Sequence, residues 1–127
     1  LVNTGIDLLP TLCGFAGVDP PADAPGMDLS QPIEREFVVS QSHFMQGAEV
    51  DGQNPRAHGR MLRSQRYKYC AYSEGMRRES LVDLEADPGE MVNLADDPDH
   101  AGALEQHRSY LRAFCGGNGD DFLAFVP

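Results

Sequence analysis

Hydrophobic and polar positions in the middle of the chain alternate with the two-residue period of β-strands. Four short runs between residues 35 and 84 show this alternation or are rich in the β-branched and aromatic residues that strands favour. The runs are residues 35–41, 59–64, 67–73 and 80–84. The second and third are separated only by Gln65 and Arg66, so they form a hairpin. We therefore predict four antiparallel strands.

The first seventeen residues are apolar almost all round a helical projection. We predict a short helix here, capped by Asp7, with Pro10 in its first turn and Gly17 as a left-handed cap at its end. A helix that is apolar on all sides is usually buried, and we expect this one to be buried. Residues 18–34 hold four prolines and predict an extended connector.

A longer helix is predicted from about His100 to about Cys115, where a cluster of glycines begins. Asp97 or Asp99 can cap its first turn. The predicted apolar stripe consists of Ala101, Leu104, Leu111 and Phe114. We expect His100 and His107 to face solvent and the apolar tail after the helix to dock.

These elements predict an α+β fold: a four-stranded antiparallel sheet packed by a long C-terminal helix, with a short N-terminal helix. The opening helix fits this layer pair less well than the rest. We expect residues 1–34 to be a helix and connector belonging to an upstream domain, and residues 35–127 to be the C-terminal α+β subdomain. The chain starts at Leu1 rather than Met, and we expect it to be a piece of a longer protein.

The net charge of the chain limits the classes of partner that it can bind. The formal net charge is −10, which opposes nucleic acid and anionic lipid because both require a basic footprint. The charges lie in blocks: residues 56–78 hold seven of the ten bases against Glu74, and residues 79–99 hold eight acids and no base. The blocks favour cross-strand pairs of opposite sign. A basic rim that attracts an anionic substrate is the alternative.

Two features of the sequence bear on the location of the protein. No run of eighteen apolar residues is present, so we predict no membrane segment. Cys13, Cys70 and Cys115 are far apart and odd in number, which fits neither a zinc site nor a disulfide framework. We expect buried thiols and a slight preference for a cytoplasmic location. A periplasmic location stays open, because a signal peptide would lie upstream.

Common catalytic motifs do not occur in the sequence. The acidic stretch lacks the ligand spacing of a calcium loop, and no GxSxG, HExxH or glycine-rich phosphate motif occurs. We therefore predict no catalytic residue and no metal ligand in this chain. The loop 42–58 is long enough to be functional, and His43, Arg56 and His58 are the candidate substrate-rim residues. The alternative is that these histidines are merely exposed.

Four phrases, in order and at matching spacing, resemble a known family. "GIDLLPTLCGFAG" is similar to V-D-x-x-P-T-L-x-x-x-A-G, and "MDLS" to D-G-x-S-L. "RMLRSQRYKYCAY" is similar to R-x-V-R-T-x-x-Y-K-Y, and "SLVDLEADPGEMVNLADDP" to E-L-Y-D-L-x-x-D-P-x-E-x-x-N-L-A, with Val82 where Tyr is usual. The chain therefore resembles the C-terminal part of an arylsulfatase-like sulfatase of the alkaline phosphatase superfamily.

The resemblance implies a parent enzyme that hydrolyses sulfate esters with calcium and a formylglycine made from Cys or Ser in C-x-P-x-R. None of the three cysteines here stands in that motif, so the resemblance implies no cofactor in this chain and no activity of the chain alone. The implied partners are the missing N-terminal catalytic domain and, through the parent, a sulfate ester. The alternatives are a piece of a phosphodiesterase or phosphonate hydrolase of the same superfamily, and a free-standing protein-binding module.

Overall fold

The computed structural model describes residues 1–43, 49, 52 and 56–127. By their contacts, the residues fall into two compact units, Leu1–Val38 and Val39–Pro127. In chain order the elements are α1 (Thr4–Ala16), β1 (Phe37–His43), β2 (His58–Ser64), β3 (Tyr67–Tyr72), β4 (Glu79–Asp83) and α2 (Ala101–Asn118), with 3-10 turns at Pro98–His100 and Asp121–Phe125. The predicted α+β class is confirmed.

Helix α1 begins three residues before the predicted cap. Asn3 is the N-cap, and its side chain accepts a hydrogen bond from the backbone N–H of Gly5. The prediction that Asp7 caps the helix was wrong, because the helix starts at Thr4 and Asp7 lies inside its first turns. Pro10 is consequently an interior residue. Gly17, with a φ of 67°, is the predicted left-handed cap.

Asp7 instead fastens the connector to the helix. Its carboxylate is fully buried and accepts two hydrogen bonds of 2.7 Å from the guanidinium of Arg35. It also accepts from the backbone N–H of Met27 at 3.0 Å. These bonds, above all those from Arg35, hold the pKa of Asp7 well below its usual range despite burial. The first unit is thus held together by a buried ion pair.

The apolar face of α1 is exposed, contrary to the prediction that the helix is buried. The helix's exposed apolar side chains include Leu8, Leu9, Leu12 and Phe15. Phe15 keeps 75% of its surface exposed. The prediction was wrong for this chain because α1 contacts its own unit through Asp7 and its neighbours rather than through its apolar face.

The sheet has the strand order β1-β2-β3-β4, and the β2–β3 and β3–β4 pairs are antiparallel. Leu62, Tyr69 and Leu81 form one cross-strand row and are all fully buried. We call the face that carries this row the helix face, because α2 packs on it. The opposite face, which alternates with it along each strand, we call the second face.

Helix α2 differs from its prediction in length and in the face it buries. It runs through Gly116 and Gly117 to Asn118 and ends at Gly119, which has a φ of 62°. Its buried residues are Leu104, His107, Leu111 and Cys115. The prediction that His107 faces solvent was wrong: it is 2% exposed, because the 104–107–111–115 spacing puts it in the middle of the buried stripe. The tail docks as expected, with Phe122 1% exposed.

The acidic and basic blocks pair in part, as the block pattern favoured. Arg66 donates to Asp83 at 2.6 Å, and Lys68 pairs with Glu90. Arg66 is the main reason that the pKa of Asp83 falls to about 2. Asp97 accepts from the backbone N–H of Asp99 and caps the 3-10 turn Pro98–His100 that leads into α2. Helix α2 itself follows His100 without a side-chain cap, so the prediction that Asp97 or Asp99 caps this helix was wrong. Much of the acidic run therefore serves turns, caps and ion pairs.

Candidate functional site

Two of the predicted rim residues lie against each other. His43 is the last residue of β1 and His58 the first of β2, and their ring centroids are 4.4 Å apart. The two histidines thus stand together where the predicted loop 42–58 leaves the sheet and returns to it. Residues 44–48, 50, 51 and 53–55 of that loop lie outside the described residues. Arg56 is exposed two residues before β2.

An open hollow of about 520 Å³ adjoins His43 on the helix face. Its lining consists of Gln41, His43, Arg60, Phe114, Asn118, Gly119, Asp120 and Asp121. We call it the rim hollow. It combines an aromatic ring with amide and carboxylate side chains. Rings and planar polar groups of this kind provide stacking and paired hydrogen bonds for polar organic ligands.

The floor of the rim hollow is fixed by a buried ion pair. Arg60 is 4% exposed and donates from Nε and from a terminal nitrogen to the two oxygens of Asp120, each at 2.8 Å. Its guanidinium also lies 4.6 Å from the ring centroid of Phe122. Asp120 further accepts from the backbone N–H of Phe122. The pair therefore ties β2 to the tail beyond α2, and Arg60 is fully engaged rather than free for a ligand.

Cys115 lies next to this ion pair, and its thiol has low reactivity. Burial, reinforced by the charge of Asp120, raises the pKa of the thiol to about 11. A thiol is nucleophilic as its thiolate, and such a pKa leaves almost none at neutral pH. Cys70 is also buried, whereas Cys13 is half-buried. The expectation of buried thiols therefore holds for two of the three cysteines.

His107 makes a polar contact that sequence reasoning missed. Its Nδ1 lies 2.7 Å from the carbonyl oxygen of Ala103, so Nδ1 carries the proton, and Nε2 accepts from the hydroxyl of Ser64 at 2.9 Å. Burial lowers the pKa of the ring. Both nitrogens are satisfied within the helix–sheet interface, and the arrangement is structural. The spacing of His107 from Leu104 and Leu111 was the available signal.

A second polar network joins α2 to the far edge of the sheet. Glu79 accepts from Arg108 at 2.9 and 2.5 Å and from the hydroxyl of Tyr69 at 2.5 Å. Burial alone would favour protonated Glu79, but the bonds from Arg108 and Tyr69 outweigh it and keep the pKa of Glu79 lowered. Burial raises the pKa of Tyr69 well above its usual range. This network orients α2 and presents no free base.

The residues present do not fit the cofactors that the resemblance implies for the parent. No group of three or more His, Cys, Asp or Glu within residues 1–43, 49, 52 and 56–127 could hold a metal ion. No cysteine stands in C-x-P-x-R. In the described part of the chain, no helix has the length and apolar content needed to cross a membrane.

Comparison with known proteins gives a consistent picture. The family model described as N-sulphoglucosamine sulphohydrolase, C-terminal, matches residues 1–114. Delta 4,5-hexuronate-2-O-sulfatase of Bacteroides thetaiotaomicron is 37% identical over an alignment of 129 residues, which covers 96% of this chain and 25% of that protein. Arylsulfatase K of Homo sapiens is 34% identical over 98 residues, covering 71% of this chain and 18% of that protein.

The fold agrees with these similarities. A solved structure of a 2-O GAG sulfatase has a TM-score of 0.79 and 38% identity, covering 93% of this chain and 26% of that one. The chain thus spans about a quarter of the length of the hexuronate sulfatase.

Proposed function

We propose that this chain is the structural and substrate-rim subdomain of a hydrolase of sulfate esters. The premise is that the chain belongs to the sulfatase family and matches the C-terminal part of its members. The observation that carries the proposal is the family match over residues 1–114. The nucleophile, the calcium ligands and the acid–base groups then belong to a catalytic domain upstream. The chain contributes a framework and one side of the substrate mouth.

The rim hollow and the histidines beside it form the proposed substrate side of the subdomain. His43, His58 and Arg56 are exposed at the loop end of β1 and β2. Arg56 is cationic at neutral pH, and the imidazoles donate hydrogen bonds, so these residues suit a carboxylate or a sulfated hydroxyl of a sugar. The relative named for hexuronate 2-O-sulfate makes an acidic, sulfated saccharide the class of substrate that we propose.

The role of the chain in catalysis is tested with the isolated polypeptide. Incubated with an aryl sulfate and calcium, it is expected to release no more product than a buffer blank. Turnover above the blank would show that the chemistry resides in this chain and would contradict the proposal. The full-length polypeptide should turn over the same ester; hydrolysis of a phosphonate monoester in preference to a sulfate ester would favour the alternative superfamily activity.

The rim is tested by kinetics in the full-length polypeptide. His43→Ala and His58→Ala are expected to raise KM for a sulfated hexuronate roughly tenfold, which corresponds to the loss of one charge-assisted hydrogen bond. The kcat for a small aryl sulfate should change less than about twofold, because that ester does not reach the rim. Met76→Ala is the control, since Met76 is fully exposed in the turn between β3 and β4. An equal loss of activity on the sulfated hexuronate and on the small aryl sulfate would contradict a rim role for these histidines.

A further inference from the structure

Two imidazole rings meet on the helix face of the sheet, at the end where the loop between β1 and β2 leaves it. His43 ends β1 and His58 begins β2. His43 lines the rim hollow together with Arg60, and strand alternation puts His58 on the same face as Arg60. The ring centroids are 4.4 Å apart, and the ring planes are tilted by 51°, so the rings do not stack face to face. Both side chains are exposed, and the pair is therefore open to a shared ligand from solvent.

The separation of the two rings matches that of two imidazoles bound to one metal ion. A metal–nitrogen bond of roughly 2.0 Å, a ring centre about 1.1 Å behind the nitrogen and a nitrogen–metal–nitrogen angle of about 90° place the centroids roughly 4.5 Å apart. The tetrahedral angle that zinc prefers places them roughly 5.1 Å apart. The observed 4.4 Å agrees with the right angle of a square-planar or tetragonal site, which is the geometry of Cu²⁺ and Ni²⁺.

The ring nitrogens of this pair are not used by the rest of the described chain. Among the described residues, no group hydrogen-bonds to the ring of His43 or His58. The other two histidines differ: both nitrogens of His107 are engaged, and Nδ1 of His100 lies 3.0 Å from the carboxylate of Asp97. Neutral imidazole binds metal ions through a free ring nitrogen. His43 and His58 therefore retain the nitrogens that a metal ion requires.

The surroundings of the pair favour a bound cation. The main chain of His58 is fixed, because its N–H donates to Ser73 Oγ and its carbonyl accepts from the N–H of Ser73, each at 2.9 Å. A ligand on a fixed strand loses little freedom on binding. Asp120 neutralises Arg60 in the rim hollow, and Asp121 adds an exposed carboxylate to the same lining. The hollow beside the rings is therefore negative, which attracts divalent cations.

We propose that His43 and His58 form a two-histidine site for Cu²⁺, with water in the remaining coordination positions. Imidazole suits copper, and Cu²⁺ binds nitrogen ligands more tightly than the other divalent first-row metals. The described residues offer no third His, Cys, Asp or Glu ligand, so the ion is exchangeable and does not hold the fold together. Bound Cu²⁺ occupies the imidazoles of the substrate rim and competes there with the sulfated saccharide; this consequence, unlike the site itself, rests on the proposed function.

The first test counts the Cu²⁺ ions bound by the full-length polypeptide in equilibrium dialysis, with glycine as a competing ligand that keeps isolated imidazoles empty. His43→Ala, His58→Ala and the double variant are each expected to bind one equivalent fewer than the wild type, because a chelate is lost with either ring. His100→Ala is the matched control and should bind as many ions as the wild type. Unchanged binding in the single variants, or a loss of two equivalents in the double variant, would overturn the proposal.

The second test addresses the geometry of the site by electron paramagnetic resonance of the Cu²⁺-loaded full-length polypeptide. The spectrum of the wild type minus that of the double variant is expected to be tetragonal, with two imidazole nitrogens coupled to the copper. Zn²⁺ should displace this copper only at an excess of at least about tenfold, since it fits a right angle less well. A single coupled nitrogen, or no difference spectrum because the rings are only in aromatic contact, would reject the site. Equal competition by Zn²⁺ would reject its tetragonal geometry.

The outcome is separable from that of the proposed function. Loss of one Cu²⁺ equivalent in all three histidine variants of a polypeptide that hydrolyses no sulfate ester would support the metal site and reject the activity. Sulfatase turnover in a polypeptide whose variants bind as much Cu²⁺ as the wild type would do the reverse.

Discussion

Removing Asp120 should destabilise the chain far more than its position near the C-terminus suggests. Asp120 is 14% exposed and neutralises Arg60, which is 4% exposed, through two bonds of 2.8 Å. Asp120→Ala leaves that guanidinium buried without a counter-charge, and breaking one partner of a buried ion pair costs about 3–5 kcal/mol. The lost bond to Phe122 N–H adds about 1 kcal/mol. We therefore expect a loss of about 4–6 kcal/mol in the free energy of unfolding.

The double variant distinguishes the loss of the ion pair from the cost of leaving Arg60 buried without a counter-charge. Arg60→Met/Asp120→Ala removes both charges and keeps an apolar side chain near Phe122, so we expect it to be more stable than Asp120→Ala alone by about 2 kcal/mol. Asp121→Ala is the control, because Asp121 is exposed and its loss should change stability by less than about 0.5 kcal/mol.

The measurement is urea unfolding followed by circular dichroism at the helix band, with all four proteins compared in one buffer. A loss of less than about 1 kcal/mol for Asp120→Ala, or a double variant less stable than the single one, would refute the reasoning. Either result would mean that Arg60 finds water or another acceptor when Asp120 is gone.

Three further predictions use other contacts. Burial lowers the pKa of His107, so the unfolded chain binds a proton before the folded chain does as pH falls below about 6.5. The free energy of unfolding should therefore drop by up to about 1.4 kcal/mol per pH unit in that range. A His107→Gln variant whose urea midpoints show the same pH dependence as those of the wild type would contradict this. Gly26→Ala would place Cβ 1.9 Å from a carbonyl oxygen of α1 and should cost about 1–3 kcal/mol, whereas Gly102→Ala, with open space around it in α2, should gain about 0.5–1 kcal/mol; calorimetry showing the same sign for both would be the contrary result. Glu79→Gln should lower the melting temperature because Arg108 loses its carboxylate, and a melting temperature unchanged from wild type would argue that solvent already screens the pair.

Local pattern was sufficient for most of the architecture. Alternation and β-branched content located all four strands to within two residues. The signal of β2, β3 and β4 arises because one face of each of these strands packs in a core. The opposite charges of neighbouring blocks anticipated the pair between Arg66 and Asp83. These features depend on residues close in sequence or on adjacent strands, and their signals survive in a single sequence.

Features that depend on long-range packing were not predictable in the same way. Arg60 and Asp120 are sixty positions apart, and nothing local specifies that the tail returns to β2. The burial of His107 was not predicted because histidine is polar and was therefore expected to face solvent. Its spacing along α2 nevertheless places it on the buried stripe of the helix. The exposure of α1 was not predicted because an apolar helical pattern indicates only that the helix packs against other residues. The pattern does not indicate whether those residues belong to the same chain.

The bond between Asp7 and Arg35 also bears on where the polypeptide can be divided. Residue 34 is a natural place to cut by composition, since the proline-rich stretch ends there. A shortened chain beginning at Arg35 would carry a guanidinium whose carboxylate had been left on the discarded piece, and that piece would keep a buried acid with nothing to neutralise it. Cleavage one residue after Arg35 keeps the ion pair whole and harms neither half in this way.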